Sequence, residues 1–88
     1  MYDYKFGSFD ELYEKLRRGN EVEFKYNEKI YFLLPHFEED KIIGSVFGEV
    51  YANDETICLS KQELFHSKIQ DSTFGKIIDK IEILWTDF

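Results

Sequence analysis

The stretch GNEVEFKYNEKIYFLLPHF, residues 19–37, contains two different strand patterns joined by a turn. Residues 21–26 alternate charged and apolar side chains, which is the period of a half-buried strand. Residues 30–34 are apolar on both faces, so either the chain itself or a partner is expected to cover the second face. Glutamate tolerates positive φ poorly, so the turn at Asn27-Glu28 is predicted to be slightly longer than two residues. Pro35 is predicted to end or bend the second strand, because proline cannot donate to a central ladder.

Two helices have clear start signals. Ser8 and Glu11 have the spacing of a capping box, which predicts the start of a helix. Gly19 can adopt the left-handed conformation that ends this helix. Ser60 and Glu63 repeat the capping-box spacing before a short second helix. The apolar stripe of the first helix consists of Phe9, Leu12, Tyr13 and Leu16.

A third helix is predicted near the end of the chain. Phe74, Ile77, Ile78 and Ile81 share one helical face, with Asp71 or Ser72 as the cap, and Gly75 weakens the pattern.

Further strands are predicted at both ends of the chain and in its middle. Tyr2, Tyr4 and Phe6 alternate with polar residues and indicate an opening strand. Residues 56–59 suit a short strand, and residues 81–88 have strand character, so the chain is expected to end in the sheet.

Residues 42–51 have apolar side chains on both faces, which is typical of an interior strand. Gly44 and Gly48 within it indicate a bulge, a bend or a close approach by a helix, and we favour the helix. The predicted fold is α+β, with residues 1–88 as a single domain: a mainly antiparallel sheet of four to five strands with about three short helices on one face. No element is left to cover the other face.

The charge of the chain restricts its partners. The net charge of −7 and the pI near 4.7 disfavour direct binding to nucleic acid or to a membrane surface and favour a basic protein surface. Residues 38–63 hold seven acids against Lys41 and Lys61, so this stretch carries five of the seven net negative charges.

Catalytic and metal-binding signatures are not found in the sequence. Cys58 with His66 or His36 would be a thiol and a base, but no family signature surrounds them, and a lone cysteine is more often a small core residue. The two histidines lie 30 residues apart without metal-ligand spacing. We therefore expect no enzyme activity, no catalytic residue, no cofactor and no metal. Without a signal peptide or an apolar run of membrane-spanning length, the expected location is the cytoplasm.

Binding to another protein remains the expected activity. The chain has nine Phe, six Tyr and one Trp, and aromatic residues are enriched at interfaces. An acidic stretch that grips a basic cleft also fits the charge distribution. The residues predicted to bind a partner are Tyr26, Tyr31, Phe37, Glu38, Glu39, Asp40, Glu49, Tyr51, Asp54 and Glu55.

The segments FDELYEKLRRGNEVEFKYNEKIYF and LSKQELFHSKIQDSTFGKIIDKIEILW resemble a diffuse group of short bacterial and phage-borne α+β proteins, which have no family name. The shared features are a helix, a hairpin and a late pair of capped helices before a last strand. In size and charge such proteins resemble antitoxins, immunity proteins and phage-encoded inhibitors. The resemblance implies an acidic inhibitor that binds a basic surface of another protein. The alternative is a homodimer, with a structural or small-ligand-binding role, in which a second copy covers the open face.

Overall fold

A computed structural model describes residues 4–88, which form a five-stranded antiparallel sheet with two helices on one face. In chain order the elements are α1 (Phe9–Arg17), β1 (Val22–Tyr26), β2 (Lys29–Glu38), β3 (Lys41–Glu49), β4 (Thr56–Cys58), α2 (Lys61–His66), β5 (Lys68–Ile69), β6 (Ser72–Thr73), two 3₁₀ turns (Phe74–Lys76 and Ile78–Lys80) and β7 (Glu82–Thr86). The sheet has the order β4-β3-β2-β1-β7, and β5 and β6 form a separate two-stranded ribbon. The predicted α+β class is confirmed.

One face of the sheet forms the core with the helices. Phe24 and Leu33 from neighbouring strands are fully buried in the same cluster as Leu12 of α1, Leu64 of α2 and Phe74 of the first 3₁₀ turn. The ring of Phe74 meets those of Phe24 and Phe47 edge-on, at centroid distances of 5.7 and 4.9 Å. Aromatic rings therefore join the 3₁₀ segment to the centre of the sheet.

The capping signals of both helices are confirmed. Ser8 Oγ accepts a hydrogen bond from the backbone N–H of Glu11 at 3.2 Å, and Gly19 ends α1 with a φ of +93°. In α2, Ser60 Oγ accepts from the N–H of Glu63 at 3.1 Å. These local hydrogen bonds satisfy N–H groups that have no partner within the helix.

The third helix was wrongly predicted, because residues 74–80 form two 3₁₀ turns instead. Thr73 precedes the first turn and makes no capping hydrogen bond with its side chain. The Phe65 ring occupies the space where a Cβ at Gly75 would lie. A glycine and two β-branched residues in one short segment lower its helix propensity, so packing against Phe65 determines its shape.

The prediction of a longer turn at Asn27-Glu28 was also wrong. Tyr26 pairs with Lys29, so the loop has two residues, with φ values of 46° for Asn27 and 72° for Glu28. A two-residue turn with both φ values positive matches the twist of its strands, and the pairing of the hairpin outweighs the cost of a glutamate in this conformation.

Pro35 does not end β2, which continues to Glu38. The last pair between β1 and β2 is Val22 with Leu33, so at Pro35 the strand has a neighbour only on the β3 side. Proline is tolerated here because one side of the strand needs no N–H donor.

The glycines of β3 are not approached by a helix, contrary to the interpretation we favoured. A Cβ at Gly44 would overlap with the carbonyl oxygen of Cys58 in β4, and one at Gly48 would meet the ring of Phe32. A β-bulge lies next to Gly44, with Ile43 as the extra residue of β3. β3 is an interior strand, as predicted. The strands predicted within residues 56–59 and 81–88 are also present, as β4 and β7.

The predicted opening strand is not formed by residues 4–6, and Tyr2 lies outside the described residues. The Tyr4 hydroxyl donates to Glu11 Oε1, and the Gly7 N–H donates to Glu11 Oε2 at 2.9 Å. Phe6 is buried, with its ring 5.9 Å from that of Phe88. Contacts with α1 and the C-terminus thus hold this segment outside the sheet.

Candidate functional site

The sheet has a second face, which we call the outer face. Residues that are directly opposite in an antiparallel ladder point to the same side, so the pairs of Glu23 with Phe32 and with Trp85 lie on one surface. The residues of the outer face are Glu23, Lys25, Ile30, Phe32, Leu34, His36, Val46, Gly48, Ile57, Glu82 and Trp85.

Apolar side chains on the outer face are open to solvent. Ile57 is 50% exposed, Trp85 is 43% exposed and Ile30 is 36% exposed. The helices α1 and α2 bury their apolar residues in the core cluster, on the other side of the sheet. Within residues 4–88, therefore, no helix covers the outer face.

The ring of Phe32 lies at the centre of the outer face. A Cβ at Gly48 would lie 2.9 Å from Cζ of Phe32, so the phenyl ring lies against the bare backbone of β3. Val46 beside it is only 8% exposed, and its neighbours Leu34 and Ile57 complete a row across three strands. An apolar surface that extends across several strands is suited to contact with another protein.

Charged side chains lie at the β1–β7 side of the outer face. Glu23 lies between Phe32 and Trp85 in the ladder, and Lys25 is directly opposite Glu82. This side carries two acids and one base, so the apolar centre has a polar border with a net negative charge.

The two tyrosines predicted to bind a partner are buried in the core and are not presented at the surface. Tyr26 is 6% exposed and Tyr31 is 7% exposed, and both lie on the core face. Gln70 Nε2 donates to the carbonyl oxygen of Tyr26 at 2.9 Å and to the hydroxyl of Tyr31 at 3.0 Å. These tyrosines attach the β5–β6 ribbon to the sheet.

The predicted acidic residues do not form one patch. Glu38, Glu39 and Asp40 lie at the β2–β3 turn, whereas Asp54 and Glu55 follow the opposite end of β3. Nine residues of β3 separate the two groups, which corresponds to about 30 Å at the rise of an extended strand. The acids therefore lie beyond both ends of the sheet.

The other predicted binding residues have different surroundings. Phe37 is 54% exposed near the β2–β3 turn. Tyr51 is 98% exposed in the turn after β3 and has a φ of 76°. Glu49 forms an ion pair with Lys29 at 3.4 Å, which offsets its charge.

Cys58 and His66 do not share a site. Cys58 is 2% exposed, and its Sγ lies 3.1 Å from Ser67 Oγ, whereas the ring of His66 lies at the surface, edge-on to Phe65. Among residues 4–88, no group of three or more His, Cys, Asp or Glu side chains has an arrangement suited to a metal ion.

Sequence reasoning missed the exposed Ile57 and Trp85. Residues 30–34 carry a signal for the outer face, because both faces of this strand are apolar. The other residues of the outer face lie on neighbouring strands, and finding them requires the register in which those strands pair.

None of the helices in the described part of the chain, residues 4–88, has the length and apolar character required to span a bilayer. Comparison with protein-family models, with curated proteins and with solved structures gives no match.

Proposed function

We propose that this chain is a non-enzymatic interaction module that binds another protein through the outer face of its sheet. The observation that carries the proposal is the contrast between the two faces. The core face buries Phe24 and Leu33 completely, whereas Ile57 and Trp85 on the outer face are about half exposed. Covering half-exposed apolar side chains with a partner removes them from water, which is favourable in free energy.

Charge supports a partner with a basic surface. Glu23 and Glu82 lie on the outer face itself, and the acids of the β2–β3 turn and of the segment after β3 lie beyond its two ends. A partner that covers the apolar centre and has basic residues around its own contact surface would meet acids on several sides. This is the charge distribution of an acidic inhibitor, of the immunity or antitoxin type, and we place the protein in the cytoplasm with its target.

A homodimer is the second candidate, because the outer face carries charges of both signs. Lys25 lies among Glu23 and Glu82, so two copies packed face to face could pair these side chains. The two candidates differ in their response to salt. Binding to a basic partner weakens as salt screens the attraction, whereas association of two chains of charge −7 is unchanged or strengthened.

The first test is the solution mass of the 88-residue protein, measured by light scattering during size-exclusion chromatography at low and high salt. A monomer at both salt concentrations is expected, and a dimer that persists at high salt would support the second candidate. The protein then serves as bait in bacterial lysate, and the captured protein is identified and purified.

Matched variants decide whether the outer face binds the captured protein. Ile57→Lys places a charge on the outer face, and Leu59→Lys makes the same change at a side chain that is 60% exposed after the end of β4. We expect at least about a tenfold loss of affinity for Ile57→Lys and little change for Leu59→Lys. Equal affinity of the Ile57→Lys variant and the unaltered protein would refute binding through the outer face.

A further inference from the structure

A groove on the opposite side of the sheet from the outer face lies between α1 and the beginning of β3. Its main part is a cleft of about 450 Å³ with Tyr13 and Arg17 on the helix side and Ile42 and Ile43 on the strand side. A second depression of about 370 Å³ continues from it toward the β2–β3 turn, past Phe37. Arg17 and Ile42 line both parts, so together the two parts make one elongated groove.

The strand side of the groove is an unpaired sheet edge. β4 pairs with β3 only at residues 45–47, and the backbone of Cys58 and Leu59 lies against Gly44, so among the described residues the edge without a neighbouring strand on that side is residues 41–43. Glu38 and Lys41 flank a two-residue turn and form the hydrogen-bonded pair that closes such a hairpin. Hydrogen bonding alternates along a ladder, so the next residue, Ile42, directs its N–H and C=O away from β2, toward the free edge.

The bulge in β3 shapes the apolar surface of this groove. Successive residues of a regular strand point to opposite faces, but both Ile42 and Ile43 line the groove, because Ile43 is the extra residue of the bulge. Phe37 is opposite Ile42 in the ladder, and 54% of its surface is exposed. An apolar side chain of a ligand can therefore pack beside Ile42 and Phe37.

The charges of the groove leave Arg17 available to a ligand. Its neighbour Arg18 forms an ion pair with Glu14 at 3.6 Å, and Lys61 forms one with Asp10 at 2.5 Å. In the part of the chain that the structure describes, Arg17 has no such partner. Arg17 lines both parts of the groove, and a guanidinium can hold a carboxylate with two parallel hydrogen bonds.

We propose that this groove binds an extended peptide segment of another protein. The segment adds to the edge at residues 41–43 as a short strand, through the backbone of Ile42. It places an acidic side chain on Arg17 and a neighbouring apolar side chain against Phe37 and Ile42. Main-chain hydrogen bonds supply affinity in this mode of recognition, and side-chain pockets supply specificity. The groove is separate from the outer face, and the inference does not depend on the proposed function.

The experiment uses a phage-displayed library of random seven-residue peptides, selected on the immobilised 88-residue protein. We expect the enriched peptides to combine an acidic residue with apolar residues at alternate positions. A synthetic copy of the most enriched peptide is then titrated by calorimetry against three variants. Arg17→Ala removes the cation, and Ile42→Pro removes the outward N–H, whereas Lys80→Ala removes an exposed cation that does not line the groove.

Arg17→Ala and Ile42→Pro are each expected to weaken peptide binding at least about tenfold, and Lys80→Ala to leave it unchanged. Circular dichroism of each variant verifies that it is folded. If Ile42→Pro unfolds the protein, hydrogen exchange of the Ile42 amide is measured in the unaltered protein instead. The peptide is then expected to protect this amide from exchange. No enriched peptide, or a peptide bound equally by the Arg17→Ala variant, would overturn the proposal. The variant Ile57→Lys is expected to bind the peptide normally, which separates this site from the outer face.

Discussion

The phenyl ring of Phe32 lies against the backbone of Gly48, its partner across the β2–β3 ladder, with 2.9 Å between Cζ and the position that a Cβ would take. The carbonyl oxygen of Asp54 lies 3.0 Å from the same position. Gly48 is therefore confined from two directions, by a side chain on the outer face and by the backbone that follows β3.

We predict that Gly48→Ala destabilises the protein by about 1–3 kcal/mol, because the new methyl group overlaps with the ring and with the backbone. The measurement is urea-induced unfolding followed by fluorescence. Gly7→Ala is the control, since its nearest contact is a side-chain oxygen of Glu11 at 3.2 Å rather than backbone, and its effect is expected to stay within about 0.5 kcal/mol. Equal midpoints for the two variants would contradict the prediction.

The β1–β2 turn can be improved by one substitution. Glu28 has a φ of 72°, which is costly for a residue with a Cβ, so Glu28→Gly is expected to stabilise the protein by about 0.5–1 kcal/mol after the entropy cost of glycine. Glu28→Ala removes the same charge but keeps the Cβ, and we expect no gain from it. Thermal unfolding of both variants makes the comparison. A similar rise in Tm for both would show that charge, rather than backbone conformation, controls stability at this position.

The N-terminal segment makes stability dependent on pH. The hydrogen bond from Tyr4, followed by that from the Gly7 N–H, holds the pKa of Glu11 below its ordinary value of 4.5. A lowered pKa in the folded state means that this contribution is present above pH 4.5 and is lost as the pH falls through the folded-state pKa. Tyr4→Phe is expected to raise the pKa of Glu11 toward 4.5.

An NMR titration of the side-chain carboxyl carbons measures this shift. Asp87 provides an internal control, because the backbone N–H of Glu21 is the main cause of its lowered pKa and does not involve Tyr4. Tyr13→Phe removes a tyrosine hydroxyl that does not contribute to the lowered pKa of Glu11, so it should leave that pKa unchanged. An unchanged Glu11 titration in Tyr4→Phe would contradict the prediction.

The same substitution on the two faces of the sheet is expected to have different effects. Ile83 is 2% exposed in the core, whereas Ile57 is 50% exposed on the outer face. Ile83→Val should cost about 1 kcal/mol of unfolding free energy, and Ile57→Val should cost close to nothing, because only the first change leaves a cavity. Chemical denaturation of the two variants tests this difference. A comparable loss at Ile57 would mean that part of the chain covers the outer face.

Local signals predicted several elements correctly. The capping boxes of Ser8 and Ser60 identify both helix starts, because the hydrogen bonds involved join residues three positions apart. The strand pattern of residues 82–86 was also found, since alternation is a property of one segment. The third helix was predicted wrongly, because the shape of residues 74–80 depends on the Phe65 ring packed over Gly75, a contact that no local pattern contains.

The candidate site was predicted only in part. Residues 30–34 indicated that a second apolar face exists, but Tyr31 was expected on a binding surface and is instead a core residue hydrogen-bonded to Gln70. The acids of residues 38–55 look like one cluster along the chain, although the length of β3 separates them into two groups.

The sequence by itself determined the elements of this protein: two capped helices, a hairpin, an interior strand and a last strand, together with the excess of acidic residues. Tertiary structure decided how these elements meet. The strand order β4-β3-β2-β1-β7 and the register of each pair place Ile57, Phe32 and Trp85 on one open face. The physical reason is that helix caps and strand alternation arise from neighbours in the chain. Which face is buried depends instead on pairing between distant segments, and a shift of one residue in that pairing would exchange the two faces.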